Sequence, residues 1–138
     1  MMTKDEIDER RERYNKRTGE QEFKKGMKYR NGDGVPEDLE RAFKHFEFAA
    51  ACGHWQSMTQ MGEMYGRGLG IDPHDGSPSA DMAYCHFWMR EGIKRAETKG
   101  QKERGQRHLE WIESQMKKSE LLRSDLLRDM RGICLPHY

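Results

Sequence analysis

Apolar residues recur at helical rather than strand spacing along most of this chain. Ala42, Phe43, Phe46, Ala49 and Ala50 make one stripe, and Ala83, Tyr84, Phe87 and Trp88 make another. Farther on, Leu109, Ile112 and Met116 recur at i, i+3, i+7, and Leu122, Leu126 and Met130 at i, i+4, i+8. No Gly or Pro interrupts residues 106–131, so one or two helices are predicted there, stopped by Gly132 and Pro136. At the other end Thr3-Lys-Asp-Glu6 has the form of a capping box ahead of Ile7 and Tyr14. So few apolar residues follow it that residues 1–18 read equally as a loosely docked helix or a disordered segment.

The pattern repeats itself. Phe23–Val35 lies over Thr59–Ile71, matching Gly26 with Gly62, Tyr29 with Tyr65, Gly32 with Gly68 and Gly34 with Gly70. Arg41–Ala51 then lies over Met82–Gly92, the offset having grown within the loop 72–81. The two blocks hold seven identities in 24 columns, where chance supplies about one or two. Each copy reads as helix, Gly-rich turn, helix. Thr18-Gly-Glu-Gln21 offers a capping box for the first helix, which places Phe23, Met27 and Arg30 on one face and Gly26 and Tyr29 on an adjoining one. Gly costs about 1 kcal/mol against Ala inside a helix, so its recurrence at one phase predicts a neighbouring helix backbone too close for a Cβ. Gly32 and Gly34 fall where positive φ is wanted, and Pro36 keeps the helix from resuming. Glu37, Asp38 and Glu40 put negative charge at the start of the second helix. Ser77-Pro78 is the corresponding start in the second copy, and Gly53-His54 closes the first unit ahead of a helix beginning at Trp55.

Composition narrows the function. The 138 residues carry 25 Lys and Arg against 24 Asp and Glu, a net charge of +1, which argues against a grip on nucleic acid by bulk charge. Charged residues at 36% exceed hydrophobic ones at 34%, so the core is thin and a layer of amphipathic helices suits the chain better than a compact globule. No run approaches the roughly 20 apolar residues of a membrane span. The charged start lacks a secretory signal, and a cytoplasmic location follows as the expectation. Cys52, Cys85 and Cys134 are odd in number, far apart and without a Cys-x-x-Cys pair, which reads as reduced, packed thiols rather than disulfides or zinc ligands.

The order of a large apolar residue, Gly26, Tyr29, Gly32-x-Gly34-Val35-Pro36-x-Asp38, Ala42, Ala49-Ala50 and Gly53-His54 resembles the Sel-one-like repeat family, a relative of tetratricopeptide repeats. Residues 21–54 are similar to one unit and 57–92 to a second. Lys25 stands where the family usually has Leu, and Arg90-Glu91 replace the closing alanines of the second copy, so no regular third unit is expected. The resemblance implies an all-α fold, a short right-handed α-solenoid of two helical hairpins with N- and C-terminal capping helices. The chain accordingly divides into a charged segment 1–18, two repeats over 19–98, and capping helices with a short tail over 99–138.

It also implies a non-catalytic adaptor or inhibitor that binds a protein or peptide on the concave face, with no cofactor and no metal, as a monomer or weak homodimer. If the first helix of each hairpin lines that face, Phe23, Met27 and Arg30, with Glu20, come from the first copy. Gln56, Thr59 and Glu63, with Gly66, come from the second. Arg107 and Trp111 join by a looser register, and Trp55 is a candidate anchor. Charge reversal at Arg30 and Glu63 is then expected to weaken partner capture with little loss of stability.

Other readings are weaker. His45 and His86 match between copies and read as repeat packing, with no carboxylate pattern to make them metal ligands. His74-Asp75 is too small a group to specify a site. The cluster Arg10, Arg11, Arg13, Lys16 and Arg17 is diluted by Glu9 and Glu12 and reads as a solvated helix face. The alternative function is a nucleic-acid-associated accessory protein using the Arg-rich start and residues 95–131, which carry a net +3.

Overall fold

The computed structural model describes residues 1–68 and 82–134, with the side chains of all of these except 119 and 129–134. Gly70, His74-Asp75, Ser77-Pro78 and Pro136 lie outside the described residues, as do the side chains of Met130 and Cys134. Among the described residues six helices follow one another: α1 (Lys4–Asn31), α2 (Leu39–Ala51), α3 (Trp55–Arg67), α4 (Met82–Lys94), α5 (Lys99–Gln115) and α6 (Lys118–Cys134). No strand occurs among the described residues. α1 packs on α2 and α3 on α4 as two hairpins, α2 joins them by packing on α3, and α4 carries both α5 and α6. This is a short α-solenoid.

Local chemistry sets the helix ends. Thr3 caps α1 by accepting from the Glu6 amide, Asp38 caps α2 from Arg41, and Thr98 with Gln101 forms a reciprocal capping box on α5. α1 and α3 each end on a left-handed glycine, Gly32 and Gly68, both at φ 66°. The Thr18 capping box is not used. α1 runs unbroken from Lys4 through Thr18, because Gly19 is buried against His54 and Cys52 and that docking holds the helix together across the charged segment.

The core lies between the hairpins. Ala42, Phe46, Ala50, Met58, Met61, Met64, Phe87 and Trp88 form one cluster, flanked by Phe23, Tyr29, Phe43, Tyr65 and Tyr84. Phe43 meets Tyr65 edge-on, and Tyr65 stacks on Tyr84 with ring centroids 4.9 Å apart, so aromatic contact runs from one repeat into the next. Cys85, Met89, Ile93, Leu109 and Ile112 form a second cluster beneath the C-terminal helices. Lys25 is exposed where its counterpart Met61 is buried at 1%. Met61 faces the preceding repeat, whereas Lys25 sits on the outer side of the first and reaches Glu22 instead.

The two glycines that match between the copies, Gly26 and Gly62, are both tightly packed, with a difference in kind. A Cβ on Gly62 would stand 2.7 Å from Met89 Cγ and 3.1 Å from the Cys85 carbonyl oxygen, a true backbone approach. A Cβ on Gly26 would stand 2.6 Å from Phe46 Cε1, so there a ring rather than a helix backbone fills the space.

The C-terminal helices depart from expectation in three respects. The chain breaks at Met116 and Lys117 without Gly or Pro: Met116 is extended, and the Lys117 amide donates to Glu120 Oε1. α6 continues past Gly132 to Cys134. Its inward face is not the Leu122–Leu126 stripe, since those two are 62% and 52% exposed; Ser124 is fully buried and Leu127 packs on the core. The physical reason is polar. Buried His86 needs a partner and takes Ser124 Oγ at 2.7 Å, which turns α6 by about half a turn from the Leu122–Leu126 stripe.

Candidate protein-binding groove

A groove of about 490 Å³ opens where α1, the start of α3 and the turn into α5 converge. α1 contributes Asn15, Lys16, Glu20, Phe23 and Lys24; the next repeat contributes His54, Trp55 and Gln56; Arg95, Glu97 and Gln101 close the far side. Phe23 is held between Phe46, at 5.9 Å between ring centroids, and His54, at 4.8 Å. It is therefore both core packing and groove wall.

His54 is fixed by its role as the α3 cap. Its Nδ1 accepts from the Ser57 amide at 3.3 Å and lies 2.9 Å from Ser57 Oγ, which requires an unprotonated Nδ1. Burial pushes the His54 pKa down from 6.5, and the nearby charges of Glu20 and Glu97 oppose this without reversing it. The groove floor thus presents a neutral imidazole beside two aromatics, with charge of both signs on the rim.

Of the residues placed on the concave face by sequence, Glu20, Phe23, Trp55 and Gln56 meet in this groove. Met27 packs against the core between the repeats. The Thr59 methyl group abuts Gly92 on α4, and its hydroxyl donates to the Gln56 carbonyl at 2.7 Å. Arg30 and Glu63 face each other: Arg30 Nη2 donates to Glu63 Oε2 at 3.0 Å, and Nη1 bonds Gln60. That pair bridges α1 and α3, so reversing both charges exchanges the partners rather than stripping a binding face, and the expectation for that double variant changes accordingly. Arg107 and Trp111 lie on α5 outside the groove, Trp111 61% exposed and in edge contact with His108.

Sequence reasoning passed over Asn15, Lys16, Arg95, Glu97 and Gln101. One signal was available: Thr98-Lys-Gly-Gln101 has the capping-box form, and Gln101 Oε1 accepts from the Glu97 and Thr98 amides at 3.2 and 3.1 Å. That ties the α4–α5 turn into a fixed groove wall.

The repeat-matched histidines do have carboxylates. His45 Nδ1 lies 2.6 Å from Glu22 Oε2 and its ring stacks on Tyr29. Burial pushes the Glu22 pKa up, but hydrogen bonds and charge from His45 and Lys25 outweigh it and the net direction is down. In the second copy the Glu22 position is Met58, and His86 turns instead to the cap, with Nε2 2.8 Å from Glu113 Oε1 and Nδ1 on Ser124. Serine, histidine and glutamate in line are the residue types of a hydrolytic triad. Here Ser124 is fully buried, and the ring nitrogens are reversed relative to such triads, with Nδ1 on the hydroxyl. The arrangement locks α4, α5 and α6 together and offers a substrate no access. Burial and the Glu22 charge raise the Cys52 thiol pKa, which lowers its thiolate fraction. Among the described residues no group of His, Cys, Asp and Glu is placed to hold a metal ion, and no helix is long and apolar enough to cross a membrane.

Compared with known proteins, the chain matches the family model for the Sel1 repeat twice, over residues 26–54 and 55–95. No curated protein and no solved structure matches it.

Proposed function

As the chain belongs to the Sel1 repeat family, whose repeats are generally modules for protein–protein interaction and typically non-catalytic, we propose that it is a non-catalytic adaptor or inhibitor. It takes a short segment of a partner protein into the groove between α1, α3 and α5. The observation that carries this reading is the convergence of Phe23 and Trp55 with the side-chain amides of Gln56 and Gln101 on one opening. A peptide supplies the matching chemistry, an apolar side chain for the aromatics and main-chain N–H and C=O groups for the amides.

The pairing of several cations in the C-terminal third favours the adaptor reading over a nucleic-acid one. Arg95 is paired with Glu91, Lys99 with Glu103 and Arg128 with Asp125, and Arg123 lies over the Tyr84 ring. These contacts offset part of the positive charge of that region.

A photo-cross-linking residue placed at Lys24 or Gln56, both exposed on the groove rim, is expected to label a common partner in cells. The same residue at Glu47, exposed on α2, should label it at least about tenfold less, the loss that accompanies removal from a binding hot spot. Equal labelling from Glu47 would refute the groove.

A further inference from the structure

The first four turns of α1 extend beyond the hairpin, and nearly every residue from Met1 to Tyr14 is exposed. In sequence this segment reads as evenly mixed charge. The helix unmixes it. At 3.6 residues per turn, Ile7 and Tyr14 fall on one side, a heptad apart, and both are open to solvent at 45% and 61%. Lys4, Arg10, Arg11 and Arg17 lie within about a quarter turn of that line. Asp5, Glu9 and Glu12 lie on the opposite side together with Lys16, and Glu6, Asp8 and Arg13 at the borders. The acidic residues that dilute the cluster in sequence are thus carried away from it in space. Among the described residues none of the four cations has an ion-pair partner. From Lys4 to Arg17 this cationic stripe is about 20 Å long at 1.5 Å per residue; Lys28 lies on the same side farther along, and Lys25 there is paired with Glu22.

We infer that this face of α1 docks an acidic amphipathic helix of a partner protein. The surface is distinct from the groove, whose side of α1 carries Lys16, Glu20 and Phe23. Two exposed apolar residues a heptad apart between rows of cations complement a helix with an apolar seam and Asp or Glu on both flanks. The same features disfavour the phosphate backbone as occupant. A nucleic acid offers no apolar seam for Ile7 and Tyr14. The acidic far side of α1 is also only one helix diameter away, about 10–12 Å, close to the screening length of about 8–10 Å at physiological salt. A polyanion carrying a charge every 1.7 Å or so feels that repulsion strongly. A narrow acidic helix laid along the stripe stays on the near face. Two apolar residues are too few for burial in a lipid interface.

The test is fluorescence anisotropy on the whole chain with a labelled model helix of about three heptads, Leu at the seam and Glu on the flanks. Its twin with Lys on the flanks and a single-stranded oligonucleotide of similar length serve as competing probes. The Glu peptide is expected to bind and the Lys peptide not. Binding should weaken at least about tenfold, or about 1.4 kcal/mol, in the triple variant Arg10→Glu, Arg11→Glu, Arg17→Glu and also in Arg10→Gln, Arg11→Gln, Arg17→Gln. The second variant adds no repulsion within the helix, and circular dichroism confirms that both keep the parent helicity. Tyr14→Ala should weaken binding as well, while Gln56→Arg in the groove leaves it unchanged. Equal binding of the two peptides, tighter binding of the oligonucleotide, undiminished affinity in the triple variants, or loss on Gln56→Arg would each overturn the assignment.

Discussion

His86 on α4 and Ser124 on α6 are joined at 2.7 Å between Nδ1 and Oγ, and both side chains are buried, at 2% and 0% exposure. This contact sets the phase of the last helix. Its other ring nitrogen engages Glu113 on α5, so one imidazole ties three helices over the open end of the second repeat.

Removing one side of the contact strands the other, so the losses from removing the two should not add. Ser124→Ala leaves a buried ring nitrogen without a partner, at a cost of about 1–3 kcal/mol, and a melting temperature several degrees lower is expected. In the double variant His86→Leu, Ser124→Ala the second change should cost less than it does alone. Additive losses in the double-mutant cycle would show that the two side chains are not coupled.

The glycines separate tight packing from mere helix propensity. Gly26→Ala would place a methyl group 2.6 Å from the fully buried Phe46 ring, and the strain, about 1–3 kcal/mol, outweighs the gain of about 1 kcal/mol in propensity. Gly100→Ala meets nothing within 4 Å in the first turn of α5 and should be neutral or stabilising by a few tenths of a kcal/mol. Denaturant midpoints for the two variants are expected to move in opposite directions or, at the least, only the first to fall. A stabilised Gly26→Ala would contradict the packing described.

Acid should weaken the fold through His54. Its pKa is lower in the folded chain than the ordinary 6.5, so the unfolded chain binds more protons at pH values below 6.5. Stability therefore falls as pH drops through that region and levels off once both states are protonated. Protonation also removes the acceptor that caps α3. Asn caps helices without titrating, so His54→Asn should flatten the pH dependence in this window. A second decline follows below pH 4.5, where Glu22, held below that ordinary value, takes up a proton. Urea titrations across the acid range check both; an unchanged slope in His54→Asn would assign the effect elsewhere.

Much of this protein is legible in the order of its residues because the signals are local. Helical periodicity, the Gly32 and Gly68 left-handed ends, the Asp38 and His54 helix starts and the two-copy match all depend on neighbours within a few positions, and the Sel1 repeat follows from them. Tertiary structure decided whatever depends on distant partners. Thr18 has the form of a helix start, yet α1 runs through it because Gly19 docks on His54 and Cys52. Leu122 and Leu126 form the better apolar stripe, yet a buried histidine on another helix turns Ser124 inward instead. Arg30 and Glu63 look like two free charges until α1 and α3 bring them together. A hydrogen bond to a buried group outweighs part of an apolar stripe, and nothing within one helix records which distant group will need it.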